Sequence, residues 1–190
     1  EPHDRWNWDG PILISRFDPA RLYVASPRLW RSDDRGDSWT PLSGDLTRGE
    51  DRLLRPMMGR VQSIDAAWDL TAMSEYGTIT SIAESPLDEN LLYVGTDDGL
   101  IHVSEDGGAT WRECKRPKGV AEYLYVNDIQ ADRVDRATVD AVLDGHKQGD
   151  FAPWVFKSTD AGKSWKSIVG DLPERHIAWR IVQDTQKSDL

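Results

Sequence analysis

A single cysteine among 190 residues, Cys114, denies this chain any intrachain disulfide and any zinc set built on several thiolates. Positive charge is also scarce: 23 Lys and Arg stand against 33 Asp and Glu, a formal net charge of -10. Such a surface repels phosphate backbones and anionic lipid, which excludes nucleic acid as a partner. No apolar run approaches the roughly eighteen residues of a spanning helix, so direct membrane insertion is not expected. Glu1 to Asp4 contain neither a signal-peptide core nor an initiator methionine and read as the start of an internal or processed segment. The four histidines (His3, His102, His146, His176) have no zinc spacing, and neither a metal nor another cofactor is expected.

Tryptophan, by contrast, is abundant. The chain has nine (Trp6, Trp8, Trp30, Trp39, Trp68, Trp111, Trp154, Trp165, Trp179), an excess that calls for a repeated structural use or a binding use. Three of them close copies of one motif, Ser-x-Asp-x-Gly-x-Ser/Thr-Trp: Ser32, Asp34, Gly36, Ser38 and Trp39; Ser104, Asp106, Gly108, Thr110 and Trp111; Ser158, Asp160, Gly162, Ser164 and Trp165. One match at five positions has a chance probability on the order of one in a million per start position. Three matches therefore mark an internal repeat.

The repeat extends beyond the motif. The stretch 80–95 aligns without gaps to 127–142, with Ile82 falling on Ile129, 47 residues on, and an earlier copy over 12–25 places Tyr23 and Val24 on Tyr93 and Val94. Each unit reads as four short strands. An apolar strand (12–15, 80–85, 128–132) is followed by a polar turn and a Leu-Tyr-Val type strand (22–26, 91–96, 138–143). A third strand (29–32, 100–104, 154–158) enters the motif, and a fourth leaves from its Trp (39–42, 111–114, 165–169). Four antiparallel strands per repeat make a propeller blade, so the expected fold is all-β: a β-propeller segment of three four-stranded blades plus the first strand of a fourth. The expected organisation is a blade over 1–46, an insertion loop over 47–78, blades over 79–119 and 120–172, and the start of a truncated blade over 173–190. Residues 144–153 are expected to lengthen the turn between the second and third strands of the last blade. Three blades leave open sides, so the chain is expected to be part of a longer protein or to close against other chains.

The motif has a local physical role. Its Asp can accept backbone N–H bonds inside the turn, its Gly permits a positive φ, and its Trp removes a large apolar area from water. A calcium reading fails because no copy has the further oxygen ligands and the terminal Glu of an EF-hand loop.

These hairpins, together with Leu91 to Thr96 and Gly170 to Pro173, resemble the Asp-box (BNR) repeat propellers, a group that includes sortilin-type (VPS10-like) propellers, sialidases, xyloglucan-cleaving glycosidases and a photosystem II assembly factor. The likeness extends from Trp6 to Asp184, most of all to large bacterial proteins of the sortilin-like or BNR-repeat glycosyl hydrolase kind. The resemblance implies an extracellular or periplasmic protein whose Asp boxes lie on the periphery, away from the ligand end. It does not imply one activity.

No residue set defines a catalytic centre. A sialidase-like site needs an arginine cluster, a Tyr/Glu pair and an Asp; Arg16, Arg55, Arg60, Arg180, Tyr76 and Tyr123 are present, but no spacing ties them together, and they read as surface Arg and core Tyr. Asp97-Asp98-Gly99 reads as a tight turn, and His102, in an alternating strand, as facing solvent or a neighbouring strand. Trp6 and Trp8, two apart and on one side of an extended segment, where they flank a groove or cover the sheet, and His146, Lys147 and Asp150 of the lengthened turn are the candidate ligand-facing residues; Trp68 is a further aromatic candidate, as are Trp154 and Trp179, for which core packing is an equal reading. The leading expectation is a non-catalytic binding or scaffolding segment that presents loops to a protein or peptide partner, or to the remaining blades of the same protein. The alternatives are a glycoside hydrolase segment acting on glycans and a structural subunit of a larger assembly.

Overall fold

The computed structural model describes residues 3–57, 59–63, 65–66 and 74–187. They form three four-stranded antiparallel sheets, each with its strands in chain order. The first contains β1 (Ile12–Ile14), β2 (Leu22–Ala25), β3 (Leu29–Ser32) and β4 (Thr40–Pro41). A two-stranded hairpin, β5 (Pro56–Met57) and β6 (Arg60–Val61), lies in the insertion behind a short 3-10 turn, Arg52–Leu54. The second sheet holds β7 (Ile79–Ser85), β8 (Asp88–Thr96), β9 (Ile101–Ser104) and β10 (Arg112–Glu113), and the third β11 (Tyr125–Ala131), β12 (Val139–Gly145), β13 (Asp150–Ser158) and β14 (Lys166–Ser167). The fold is a segment of an all-β, Asp-box repeat propeller, with first strands β7 and β11 side by side along one edge.

Period-two alternation builds the core between blades rather than within them. On β8, Leu92 and Val94 face the first blade and join Tyr23, Ala25, Leu29 and Ile79, with Trp111 packed against them. Leu91 and Tyr93 face the third blade and join Val126, Ile129, Leu143 and Phe156, with Trp154 and Trp165 alongside. Each sheet is therefore buried on both faces only when it has a neighbour on both sides. The buried Glu84 carboxylate strengthens the first joint by accepting from the Ser15 hydroxyl (2.8 Å), the Arg16 N–H (2.9 Å) and the Tyr23 hydroxyl (3.2 Å). At the second joint, a Cβ on Gly95 would meet Val126 Cγ1 at 2.3 Å, so only glycine allows this approach.

Two segments depart from the sequence expectation. Most of 144–153 is strand, because β12 continues to Gly145 and β13 resumes at Asp150, leaving a 3-10 turn, His146–Gln148, and Gly149 at φ +83°. The added residues extend the ladder, which satisfies backbone groups that an open loop would leave to water. The segment 173–187 lies against β11 without strand pairing: the Ile181 N–H donates to Asp128 (3.1 Å), and Gln183 donates to Asp132 (2.7 Å) while accepting from the Arg133 N–H (2.9 Å).

Candidate functional site

The three Asp boxes fold alike. The Ser hydroxyl (Ser32, Ser104, Ser158) donates to the Asp Oδ1 at 2.7 to 2.8 Å and accepts from the Gly N–H at 2.8 Å. The same Asp then accepts from the N–H of Ser38, Thr110 or Ser164 at 2.8 Å and from its hydroxyl at 2.5 to 2.6 Å. Gly36, Gly108 and Gly162 sit at φ +97°, +97° and +77°. Hydrogen bonds from Ser38 and from Ser164 hold Asp34 and Asp160 down at about 2, and Thr110 lowers Asp106 in the same way. These carboxylates are turned into their own hairpins. Among the described residues, no group of three or more His, Cys, Asp and Glu is arranged to hold a metal.

The tryptophan reaches further than its hairpin. Trp111 Nε1 donates to the Leu42 carbonyl of the preceding blade (2.9 Å), and a Cβ on Gly108 would meet Leu42 at 2.9 Å. In the next copy, Gly162 lies over Cys114, the residue equivalent to Leu42, and the Lys115 N–H donates to the Gly162 carbonyl (3.1 Å). The Asp box thus joins blades as well as closing a turn. Trp39, with no blade before it in this chain, is 38% exposed.

At the opposite end of the blades lies a cleft of about 370 Å³ between the second blade, the third blade and the insertion. The ends of equivalent second strands supply Asp97 and Asp144, which are 47 residues apart and occupy the same place in successive repeats. Tyr123 and Tyr125 come from the approach to β11, Lys147 and Gln148 from the 3-10 turn, Arg52, Arg55 and Tyr76 from the insertion, and Asn7 from the N-terminal segment.

Both acids are already engaged. Asp97, 5% exposed, accepts from the Gly77 N–H (3.0 Å), the Thr78 N–H (2.9 Å) and the Thr78 hydroxyl (3.0 Å). Burial, helped by the charge of Asp98, pushes it up to about 6 despite those donors. Asp98 accepts from the Arg48 N–H (2.7 Å) and the Thr96 hydroxyl (2.5 Å), so the pair holds the insertion near both of its ends. Asp144 accepts from the His146 N–H (2.9 Å) and contacts His146 Nδ1. The cations, by contrast, lie on rings. The Arg55 guanidinium stacks 3.2 Å from the Tyr123 centroid with Arg48 at 4.6 Å, Arg52 lies 5.5 Å from Tyr76, and the Lys147 ammonium lies 4.8 Å from Tyr125. Tyr123 also donates to Glu50 (3.2 Å), the ion-pair partner of Arg55 (2.9 Å). Burial pushes Tyr125 up to about 12 and raises Tyr76 as well.

Of the residues singled out from the sequence, Lys147 lines the cleft. His146, held by Asp144, turns toward Trp179 with ring centroids 6.3 Å apart, and Asp150 accepts from Trp154 Nε1 (2.9 Å) within its own strand, so neither lines it. Trp6 and Trp8 flank Asn7, whose amide donates to Thr78 (3.1 Å); both rings are exposed, Trp8 at 76%, and neither lines the cleft. Trp154 stacks on Phe156 at 6.2 Å, Trp179 is exposed, and Trp68 lies outside the described residues. His102 is buried rather than facing solvent, opposite Val94 on one side and Glu113 on the other, and desolvation lowers its pKa.

Arg55, Tyr76 and Tyr123, read as surface Arg and core Tyr, instead meet in the cleft, because the insertion folds back onto the start of β11. Arg16 and Arg60 lie outside it, and Arg180 sits beside Asp128 at 3.7 Å. The insertion's density in arginine (Arg48, Arg52, Arg55, Arg60) was the available signal, and so was the repeat offset that superposes Asp97 on Asp144.

Comparison with known proteins agrees with this architecture. The BNR-Asp box repeat matches residues 29–42. Over 172 residues the chain is 24% identical to the oligoxyloglucan-reducing end-specific xyloglucanase of Emericella nidulans, covering 86% of this chain and 18% of that protein. Among solved structures, an ancestral GH74 enzyme superposes with a TM-score of 0.52 at 16% identity over 88% of this chain and 20% of its own. YCF48 bound to D1 peptide superposes with a TM-score of 0.48 at 12% identity over 88% of this chain and 46% of its own. The chain thus spans about a fifth of the length of both the xyloglucanase and the GH74 enzyme, and the likeness to the latter establishes the fold alone.

Proposed function

We propose that this segment is a non-catalytic binding part of a larger Asp-box propeller, working with further blades, and that the cleft opposite the Asp boxes holds a segment of a protein or peptide partner. The observation that carries this reading is the division of labour in the cleft. Its buried carboxylates accept hydrogen bonds that hold the scaffold, whereas two of its lining cations, Arg52 and Lys147, lie by tyrosine rings with no ion pair among the described residues. A proton-transfer pair needs acids within reach of a substrate, and Asp97 is engaged by three donors from Gly77 and Thr78. Every tyrosine ring in the cleft has a cation near it, so a sugar stacking there competes with that cation for the ring. The proposed setting is extracellular or periplasmic; no helix among the described residues is long and apolar enough to cross a membrane.

A second reading, a glycoside hydrolase segment, rests on Asp97 being pushed up to about 6 in a cleft that Asp144 also lines, and on the likeness to a xyloglucanase. One experiment separates the two. The chain is incubated with xyloglucan oligosaccharides while reducing ends are counted, and in parallel it is screened against immobilised peptides, with Tyr123→Ala as the cleft variant. Peptide capture lost in Tyr123→Ala, with no reducing ends released, is the expected result. Release of reducing sugar that Asp97→Asn abolishes would overturn the binding reading.

A further inference from the structure

Most cations around the cleft have an anionic partner: Arg55 pairs with Glu50 (2.9 Å), Arg48 with Glu122 (3.1 Å), and Arg5, farther out, with Asp45 (2.8 Å). Arg52 and Lys147 differ. Both line the cleft, one from the insertion and one from the third blade, and among the described residues neither makes a side-chain hydrogen bond or ion pair. Each head group instead sits by a tyrosine ring, Arg52 at Tyr76 and Lys147 at Tyr125. Desolvation and then the Arg52 charge hold Lys147 below the ordinary lysine value, an arrangement an incoming anion relieves. Asp97, Asp144 and Asp9 pull the other way, but the first two spend their oxygens on local donors. Arg52 and Lys147 thus converge on one cleft with no side-chain anion paired to either among the described residues.

Resting on the binding reading above, we infer that Arg52 and Lys147 together grip a carboxylate of the bound peptide, with Tyr76 and Tyr125 as the platforms that hold the two head groups in place. The guanidinium offers a planar fork for two carboxylate oxygens and the ammonium a mobile point charge, so one carboxylate can bridge insertion and blade. Asn7 and Gln148 line the same cleft with their amides donating to the Thr78 hydroxyl (3.1 Å) and the Tyr123 carbonyl (3.0 Å), which fixes the walls beside the two cations. A peptide carboxylate has two sources, a chain terminus and an acidic side chain. Acidic sugars offer the same group on another scaffold, and glucuronate stands for them in the test.

The test titrates the chain with acetyl-Ala-Ala-Ala bearing a free terminus, its C-terminal amide, acetyl-Ala-Glu-Ala amide, and glucuronate, following backbone amide shifts of Tyr125 and Gln148 by NMR. The free-terminus peptide, the Glu peptide or both are expected to bind in the millimolar range, with the uncharged amide at least tenfold weaker; which acid binds identifies the source. Arg52→Gln and Lys147→Gln are each expected to weaken binding five- to tenfold and to flatten its salt dependence, with Lys147→Arg retaining most of it. Unchanged melting temperatures establish that the variants fold. Equal binding of acid and amide, or full binding by the double Gln variant, overturns the carboxylate grip while leaving the peptide site standing. Failure of every peptide overturns the binding reading itself, and tighter binding of glucuronate than of any peptide reassigns the grip to an acidic glycan.

Discussion

Aspartates at the two ends of these blades receive the same number of donors and reach opposite states. Asp34 in its hairpin accepts from the Ser32 hydroxyl, the Ser38 N–H and the Ser38 hydroxyl, and its pKa falls to about 2. Asp97 by the cleft also accepts from three donors, and its pKa rises to about 6. Solvent decides the sign. At the rim, water still reaches the carboxylate and hydrogen bonding dominates, whereas at the cleft the desolvation of a buried charge, with Asp98 adjacent, outweighs the same bonds. One end is thus built from settled charges that hold turns, and the other, where the proposed site lies, from charges kept under electrostatic stress.

The largest expected effect breaks the rim apart by context. Trp111→Ala removes packing and a hydrogen bond between blades and should cost about 3–5 kcal/mol in denaturant unfolding. Trp39→Ala, in the same motif without a preceding blade, should cost less than about 1 kcal/mol. Equal costs would show that the ring serves only its own hairpin.

Next comes the pH dependence of the two ends. The folded pKa of Asp97 lies above its unfolded value, so the fold holds the extra proton between roughly pH 4 and 6, and the stability this contributes fades as pH rises through about 6. Asp97→Asn should remove on the order of 2–3 kcal/mol of difference between pH 4 and pH 7. Asp34, Asp106 and Asp160 are depressed, so their contribution is present above about pH 4 and is lost as pH falls toward 2. Melting curves across pH 2–8 for wild type, Asp97→Asn and Asp160→Asn separate the two windows; a common window would remove the contrast between the ends.

Smaller effects refine it. Ser104→Ala takes away the hydroxyl that both donates to Asp106 and accepts from the Gly108 N–H, and should cost about 1–2 kcal/mol. His146→Ala, outside the cleft and half-buried, should change stability by under about 1 kcal/mol and leave peptide binding within twofold, as calorimetry and titration can check.

The three hairpins and the four-strand rhythm were legible because each uses local rules: turn chemistry, period-two alternation and a repeated offset. Arg55 and Tyr123 were not. They are 68 residues apart in the chain, and neither carries a local signal that the insertion folds back across the second blade to stack one on the other at 3.2 Å. Asp97 was read as part of a tight turn, and Gly99 does sit at φ +86° in one; its second duty, holding Gly77 and Thr78, depends on a contact nineteen residues away or more.

Periodicity and turn chemistry act over a few residues, so the sequence by itself determined that this protein is made of Asp-box blades and where each hairpin lies. Which faces meet, which tryptophans are covered, and that Arg52 and Lys147 lie by Tyr76 and Tyr125 with no ion pair among the described residues were decided only by tertiary structure. Burial and charge pairing are properties of neighbours in space, and those neighbours come from three separate stretches of the chain.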